Sequence, residues 1–165
     1  MASEWVMYLS VLALGVLTIA GVSLSFEVMN LRVTENTVEV GLSETTSFIA
    51  KELKSVLELG MMNDPLTLVQ INRSFSLPSD LAGHQYEIHF KVLPNSNHWF
   101  IEGEDTTDSK TEIVEYETTI PWRNVTLYND QGTGLPIIRS SSFQHYVKFI
   151  RASGTSSIRI YIGSI

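Results

Sequence analysis

The sequence predicts an α+β fold. One long N-terminal helix, first hydrophobic and then amphipathic, is followed by an antiparallel β-sandwich or barrel-like domain. Three observations predict it. From Trp5 to Phe26, 22 consecutive residues include no Asp, Glu, Lys, Arg or His. Apolar residues then recur at spacings of three, four or seven as far as Val56, which is typical of a helix. From Leu66 onward apolar and polar residues alternate, which is typical of strands.

The uncharged segment is long enough to cross a membrane. Its 22 residues would rise about 33 Å as a helix, against a hydrocarbon core of about 30 Å. Charged residues make up 18% of the chain, below the roughly 25% of soluble domains, and this segment accounts for the deficit. A secretory signal peptide is not expected, because residues 1–4 contain no Lys or Arg and the first cation is Arg32.

Neither flank of the segment is basic, so the positive-inside rule predicts no orientation in a membrane. Two explanations remain open. A basic leader preceded Met1 and was removed, or Met1 is the true start and other signals orient the chain.

The uncharged segment also contains small residues, some of which would lie on one face of a helix. Gly15 and Gly21 are six residues apart, so they are not a GxxxG pair. Helical spacing nevertheless gives one stripe, where another helix could approach closely. It consists of Ser10, Ala13 or Leu14, Leu17 and Gly21. The sequence favours helix–helix packing along this stripe, and the alternative is a single span that faces lipid.

Glu4 stands at the start of the apolar run, which begins at Trp5 and ends at Phe26. A carboxylate in this place usually marks only the end of the run. If the N-terminus packs among other helices, however, a buried carboxylate needs a partner. The candidate cation is an α-amino group, either its own or that of a neighbouring copy.

The predicted helix continues to the first domain boundary, with residues 1–62 as helix and stalk and 63–165 as the β-rich domain. No proline occurs in residues 27–62. Glu35 and Thr45 interrupt the apolar stripe, and the β-branched residues 33–40 favour helix weakly. We expect one long helix, with a bend allowed, a local restart at 43–46 and an end at Asn63–Asp64–Pro65. The stripe consists of Val28, Leu31, Val38, Leu42, Ile49, Leu53 and Val56.

Six or seven short strands are predicted after the helix, separated by turn residues. The clearest is Tyr86–Val92, in which Tyr86, Ile88, Phe90 and Val92 share one face. The other candidate strands are 67–75, 98–102, 111–119, 123–128, 143–150 and 157–162.

Charge and motifs exclude several functions. With 11 basic and 18 acidic residues the net charge is −7, and no basic cluster exists to bind nucleic acid. The absence of cysteine removes disulfides, thiolate metal sites and cysteine nucleophiles. No phosphate loop, nucleophile elbow or catalytic carboxylate pair occurs. The sequence therefore predicts no enzymatic activity, no cofactor and no metal.

Two other polar features have ordinary interpretations. The histidines, His84, His89, His98 and His145, show no metal-ligand spacing and are expected at the surface. Residues 102–108 contain four carboxylates. They lack the ligand order of an EF-hand, so we expect a solvated acidic hairpin loop.

Two sequons are present, Asn72-Arg73-Ser74 and Asn124-Val125-Thr126. Asn72 and Asn124 are candidate N-glycosylation sites if the chain is translocated. They favour an exterior location only weakly, because a chain of this length contains such a triplet by chance.

This layout resembles the type IV pilin-like proteins, especially archaeal pilins and archaellins, which have a lollipop architecture. An uncharged or acidic N-terminus leads into an apolar helix, an amphipathic helix and a β-domain. The segment Phe75-Ser-Leu-Pro-Ser-Asp-Leu-Ala-Gly-His-Gln-Tyr-Glu-Ile88 is similar to the start of the β-region in archaeal members. Ser157–Ile162 is similar to a closing strand.

The resemblance implies a subunit that enters the cytoplasmic membrane and is then extracted by a pilus assembly machinery into a cell-surface helical homopolymer. It implies adhesion or motility as the function, with N-glycans as candidate modifications. Pilins usually carry a glutamate at mature position five, and Glu4 lies one residue early. The alternative is a membrane-anchored archaellum or pilus accessory protein, whose outward-facing β-sandwich is a binding domain.

Overall fold

The structure, a computed structural model, describes residues 2–64, 66–93, 98–107, 113–120 and 124–165. One helix, α1 (Ala2–Met61), precedes the strands, which confirms the α+β prediction. The described strands are β1 (Val69–Ser76), β2 (Tyr86–Val92), β3 (His98–Asp105), β4 (Val114–Thr119), β5 (Val125–Asn129), β6 (Ile137–Arg139), β7 (Gln144–Arg151) and β8 (Ile158–Ser164).

Helix α1 is continuous through residues 43–46, so the local restart allowed there does not occur. The Thr45 hydroxyl donates to the Gly41 carbonyl at 2.8 Å, and the Thr46 hydroxyl donates to the Leu42 carbonyl at 2.9 Å. Both threonines are buried. The sequence predicts that Thr45 interrupts the apolar stripe, but Thr45 is buried along with it. Burial is tolerated because the Thr45 hydroxyl has a hydrogen-bond acceptor within the helix.

The helix ends at Met61, as the sequence predicts. The Asn63 amide donates to the Leu59 carbonyl at 3.0 Å and so satisfies one of the free carbonyls of the last turn. Pro65 lies outside the described residues.

The chain divides into two compact units, Met1–Asn36 and Thr37–Ile165. The part of α1 from Thr37 to its end therefore belongs to the same unit as the strands.

Two four-stranded sheets form the β-domain, with strand orders β1-β7-β8-β5 and β4-β3-β2-β6. All neighbours are antiparallel except β5 and β8, which are parallel. The sequence did not predict β6, because three residues are too few to show an alternating pattern. In β2 the predicted inward face is confirmed, since Tyr86, Ile88 and Phe90 are buried and Val92 packs against them.

One core joins both sheets to the second half of α1. Five residues of the predicted stripe are buried in it, namely Val38, Leu42, Ile49, Leu53 and Val56. Two glycines allow the close approach. A Cβ at Gly60 would lie 2.4 Å from the ring of Phe149 in β7, and one at Gly103 in β3 would lie 3.1 Å from Leu42. The helix therefore packs against both sheets.

Arg151, buried at the end of β7, fixes the end of the helix to the β-domain. Its guanidinium donates to the carbonyls of Asn63 and Asp64, each at 2.9 Å. These carbonyls directly follow α1, so the bonds join the helix exit to the sheet.

Candidate functional site

The first half of α1 presents an apolar surface on all sides. We call residues Trp5–Phe26 the apolar segment. Every large apolar side chain in it is at least 50% exposed, with Val22 the least exposed. The same helix is long and apolar enough to cross a membrane, and none of its most apolar window is buried. An exposed apolar surface of this extent marks an interface with lipid or protein.

Three of the five hydroxyl groups within the apolar segment are satisfied by the helix itself. Ser10 donates to the Val6 carbonyl, Thr18 to the Leu14 carbonyl and Ser25 to the Gly21 carbonyl, each at 2.8 Å. These side chains therefore bring no unpaired donor into an apolar environment, where one would be costly.

The glycines of the apolar segment are open to a neighbour. A Cβ at Gly15 or Gly21 would meet nothing within 4 Å. The fold of the chain itself therefore does not require glycine at either position. The continuous helix keeps the predicted stripe of Ser10, Leu14, Leu17 and Gly21 on one face, where a second backbone could approach closely.

Glu4 lies in the first turn of α1. A carboxylate in this place interacts favourably with the positive end of the helix dipole. Among the described residues it has no hydrogen bond or ion pair. Met1 lies outside the described residues, so the pairing of Glu4 with an α-amino group stays a prediction.

The segment on which the resemblance rests forms a turn between β1 and β2. Leu77 is buried, and the Tyr86 hydroxyl donates to the Pro78 carbonyl at 2.6 Å. Burial and the charge of Asp80 raise the pKa of Tyr86 to about 12. The Tyr86 hydroxyl thus acts as a structural donor rather than as an acid.

A two-residue turn follows within the same segment. Leu81 and His84 exchange backbone hydrogen bonds of 2.9 Å. Between them, Ala82 has a φ of 52° and Gly83 a φ of 84°. This left-handed pair suits a type I′ turn, which favours glycine at both central positions.

The prediction of an acidic loop is wrong for residues 102–105, because these residues belong to β3. Glu102 is buried and forms an ion pair with Lys91. Asp105 is also buried, and its carboxylate lies 2.8 Å from Nδ1 of His84. Glu102 and Asp105 lie on opposite faces of the strand, so no common loop gathers them. Asp108 lies outside the described residues.

The expectation that all four histidines lie at the surface is wrong for His145. Its side chain is buried, its Nδ1 lies 2.9 Å from the Ser164 hydroxyl, and its ring packs on Phe75. Burial lowers the pKa of His145. His145 occupies an inward position of β7, and its alternation with the apolar residues Val147 and Phe149 could have indicated this.

The remaining predicted positions lie at the surface of the β-domain. Asn72 is exposed on β1. Asn124 is exposed just before β5, and its amide lies 3.3 Å from the Ser156 hydroxyl. In the part of the chain that the structure describes, no group of three His, Asp or Glu residues could hold a metal ion.

Comparisons with protein-family models, with curated proteins and with solved structures give no significant match to this chain.

Proposed function

We propose that the chain is a structural subunit of an archaeal type IV pilus-like extracellular filament that polymerises through α1. The observation that carries the proposal is the exposed apolar segment at the start of a helix whose second half is buried in its own β-domain. The filament would serve adhesion or motility, and the chain would lie in the cytoplasmic membrane before assembly.

Water is a poor environment for the apolar segment. Its large side chains are exposed, and each costs about 1.5–3 kcal/mol when left in water rather than buried. Two other environments are available, namely lipid and the apolar helices of other copies. The proposal uses both in turn, lipid before assembly and a helix bundle afterwards.

The length of the exposed apolar surface favours protein neighbours over a simple anchor. Val28, Met29, Leu31 and Val33 follow the apolar segment, and all are more than 50% exposed. From Trp5 to Val33 the helix rises about 43 Å, which exceeds a hydrocarbon core of about 30 Å. The excess apolar residues would need contacts that a bilayer does not supply.

A filament also fits the asymmetry of the subunit. If one part of a helix contacts a different part of its neighbour's helix, the contact is heterologous and builds an open filament when the rotation between copies does not close a ring. Open glycines at positions 15 and 21 would let such helices approach closely.

Shearing of surface appendages tests the proposal. Filaments released without detergent should contain this chain as their main component, identified by mass spectrometry and electron microscopy. Glu4→Ala and Leu17→Asp should abolish these filaments, whereas a conservative Leu17→Ile control should not. Filaments of normal yield from both disruptive variants would contradict the proposal.

The second candidate is a membrane-anchored accessory protein with an outward-facing β-domain. It is favoured by the completeness of the β-domain core, which its own helix covers without another copy. On this reading the chain should be found only in detergent-extracted membranes, and the sheared fraction should lack it.

A further inference from the structure

The two outer faces of the β-sandwich carry opposite charge. Strands β1, β7, β8 and β5 contain no Asp or Glu. We call the outer surface of this sheet the tyrosine face, defined by Tyr128, Tyr146, Lys148, Arg159 and Tyr161. We call the outer surface of the other sheet the acidic face, defined by Glu87, Glu102, Glu104, Glu115 and Glu117 with the cations Lys91 and Arg139.

The tyrosine face is outward because its residues alternate with buried ones. Lys148 lies between buried Val147 and Phe149, and Arg159 lies between buried Ile158 and Ile160. Among the described residues neither cation forms an ion pair with a carboxylate. The face therefore has two cations whose charge its own sheet leaves uncompensated.

Tyrosine rings fill the rest of this face. Tyr128 and Tyr161 stack with ring centroids 5.5 Å apart. A Cβ at Gly163 would lie 2.7 Å from Tyr146, so the Tyr146 ring covers that glycine. Tyrosine is enriched in the centres of protein interfaces, because its ring supplies apolar area and its hydroxyl a polar group.

The acidic face holds like charges side by side. The register places Glu102 opposite Glu115 and Glu87 opposite Glu104, pairings that destabilise a sheet. Lys91 pairs with Glu102, and Arg139 pairs with Glu87 at 2.9 Å. Five carboxylates against two cations leave an excess of three formal negative charges on the described part of this face.

We propose that the tyrosine face of one copy docks on the acidic face of the next copy. This inference rests on the proposed filament. The two faces belong to different sheets that share one core, so the contact would be heterologous, and it extends into a filament when the rotation between copies does not close a ring. Lys148 and Arg159 of one copy would then contact carboxylates of the next copy, since the strands of their own sheet contain none. Glu115 would gain a cation in return, and so would Glu104 and Glu117, which lie beside His89 and His98 in their own sheet.

Asn72 provides an independent check. It lies on the outer side of β1, directly opposite Lys148 in the register. A glycan on Asn72 would cover the tyrosine face and block a docked copy. The proposal therefore requires Asn72 to be unmodified in assembled subunits. Glycopeptide analysis of sheared filaments that finds this site occupied would overturn it.

Charge exchange in the full chain tests the contact. The double variant Lys148→Glu/Arg159→Glu should lower filament yield at least about tenfold. It would place two glutamates of the tyrosine face against the glutamates of the acidic face, and like charges repel. The double variant Glu115→Lys/Glu117→Lys should lower it similarly. A chain with all four substitutions keeps the wild-type net charge and should recover yield to within about twofold. Lys148→Arg is the conservative control and should assemble normally.

The outcomes separate this inference from the proposed function. If wild-type cells yield no filaments of this chain, the proposed function fails. If wild type assembles and the Lys148→Glu/Arg159→Glu chain assembles equally well, only the docking contact is overturned. If both double variants fail and the fourfold variant does not recover, the docking contact is also overturned. Each variant is first shown to keep the wild-type melting temperature in detergent, so that misfolding is not scored as loss of docking.

Discussion

The two halves of α1 share one continuous backbone but differ in their surroundings. Between Trp5 and Phe26 every large apolar side chain is at least half exposed, whereas Leu42, Ile49 and Leu53 are fully buried. The difference lies in the pattern. In the first half apolar residues surround the helix. In the second half they form one stripe, and charged residues such as Lys51 and Lys54 occupy the other side.

This difference shows that apolarity alone does not specify what a helix packs against. A one-sided stripe can be covered by a single neighbouring domain, which the chain supplies itself. A helix that is apolar all round needs neighbours on all sides. On the proposed function these neighbours are lipid and then other copies, so the residues of the first half should matter for assembly more than for folding.

The same substitution in each half should separate these roles most strongly. Leu53→Asp places a charge in the core and should destabilise the Thr37–Ile165 unit by more than about 4 kcal/mol. Leu17→Asp should leave the melting temperature of that unit unchanged in detergent, because Leu17 is exposed. Instead it should weaken membrane insertion by about 2.5–3.5 kcal/mol, the cost of an aspartate near the centre of a span.

Thermal unfolding followed by circular dichroism measures the first effect, and the fraction of chain recovered in membranes measures the second. Equal loss of folding stability in both variants would remove the distinction between the two halves. Leu17→Ile and Leu53→Ile serve as apolar controls.

Two glycines offer a finer comparison. Gly60→Ala would bring a methyl group to 2.4 Å from the Phe149 ring, and such overpacking should cost about 2 kcal/mol. Gly15→Ala meets nothing within 4 Å and should not destabilise the fold. Denaturant unfolding of both variants gives the free energies. A larger loss for Gly15→Ala would show that the apolar segment packs within its own chain.

The buried His145 should make the stability of the second unit depend on pH. Burial lowers its pKa in the folded state below the usual value of 6.5, so the unfolded chain binds the proton more readily. Stability should be full above pH 6.5 and fall as the pH drops below it, by about 1.4 kcal/mol for each pH unit until the folded-state pKa is reached.

His145→Gln should flatten this part of the stability profile. Chemical unfolding at a series of pH values between about 7 and 5 measures the slope. An unchanged slope in the His145→Gln variant would show that other groups cause the pH dependence.

The smallest expected effect concerns the turn between Leu81 and His84. Ala82 has a positive φ of 52°, which glycine adopts without steric cost. Ala82→Gly relieves this steric cost but makes the unfolded chain more flexible, which offsets part of the gain. The net result should be a stabilisation of the unit by about 0.5 kcal/mol. Gly83→Ala should have the opposite effect, because Gly83 also has a positive φ. Destabilisation by Ala82→Gly in denaturant unfolding would contradict this account of the turn.

The sequence predicted features that have a long, regular pattern. The helix, its end before Asn63–Asp64 and the inward face of β2 follow from periodicity and from proline, and the structure has all three. Periodicity also placed Val38 to Val56 on one face. It could not decide whether that face would meet the β-domain or another copy, because both present apolar surfaces.

Features that depend on long-range pairing were not predictable. The parallel pair of β5 and β8 joins strands that are far apart in sequence. The carboxylates of residues 102–105 suggested a loop by composition, but β3 accommodates them by pairing Glu102 with Lys91 and Asp105 with His84. The opposite charge of the two outer faces emerges only when the strand order is known.

The most direct test of the central claim uses the absence of cysteine from the chain. A single cysteine is introduced as Leu17→Cys, and a second chain carries Ser153→Cys in the exposed turn after β7 as a control. Material sheared from cells without detergent is treated with a short thiol cross-linker. The account predicts covalent dimers from the Leu17→Cys chain, because the apolar segments pack together in the filament and each chain carries one thiol. A Leu17→Cys chain that is absent from the sheared fraction, and monomeric after cross-linking in membranes, would contradict it.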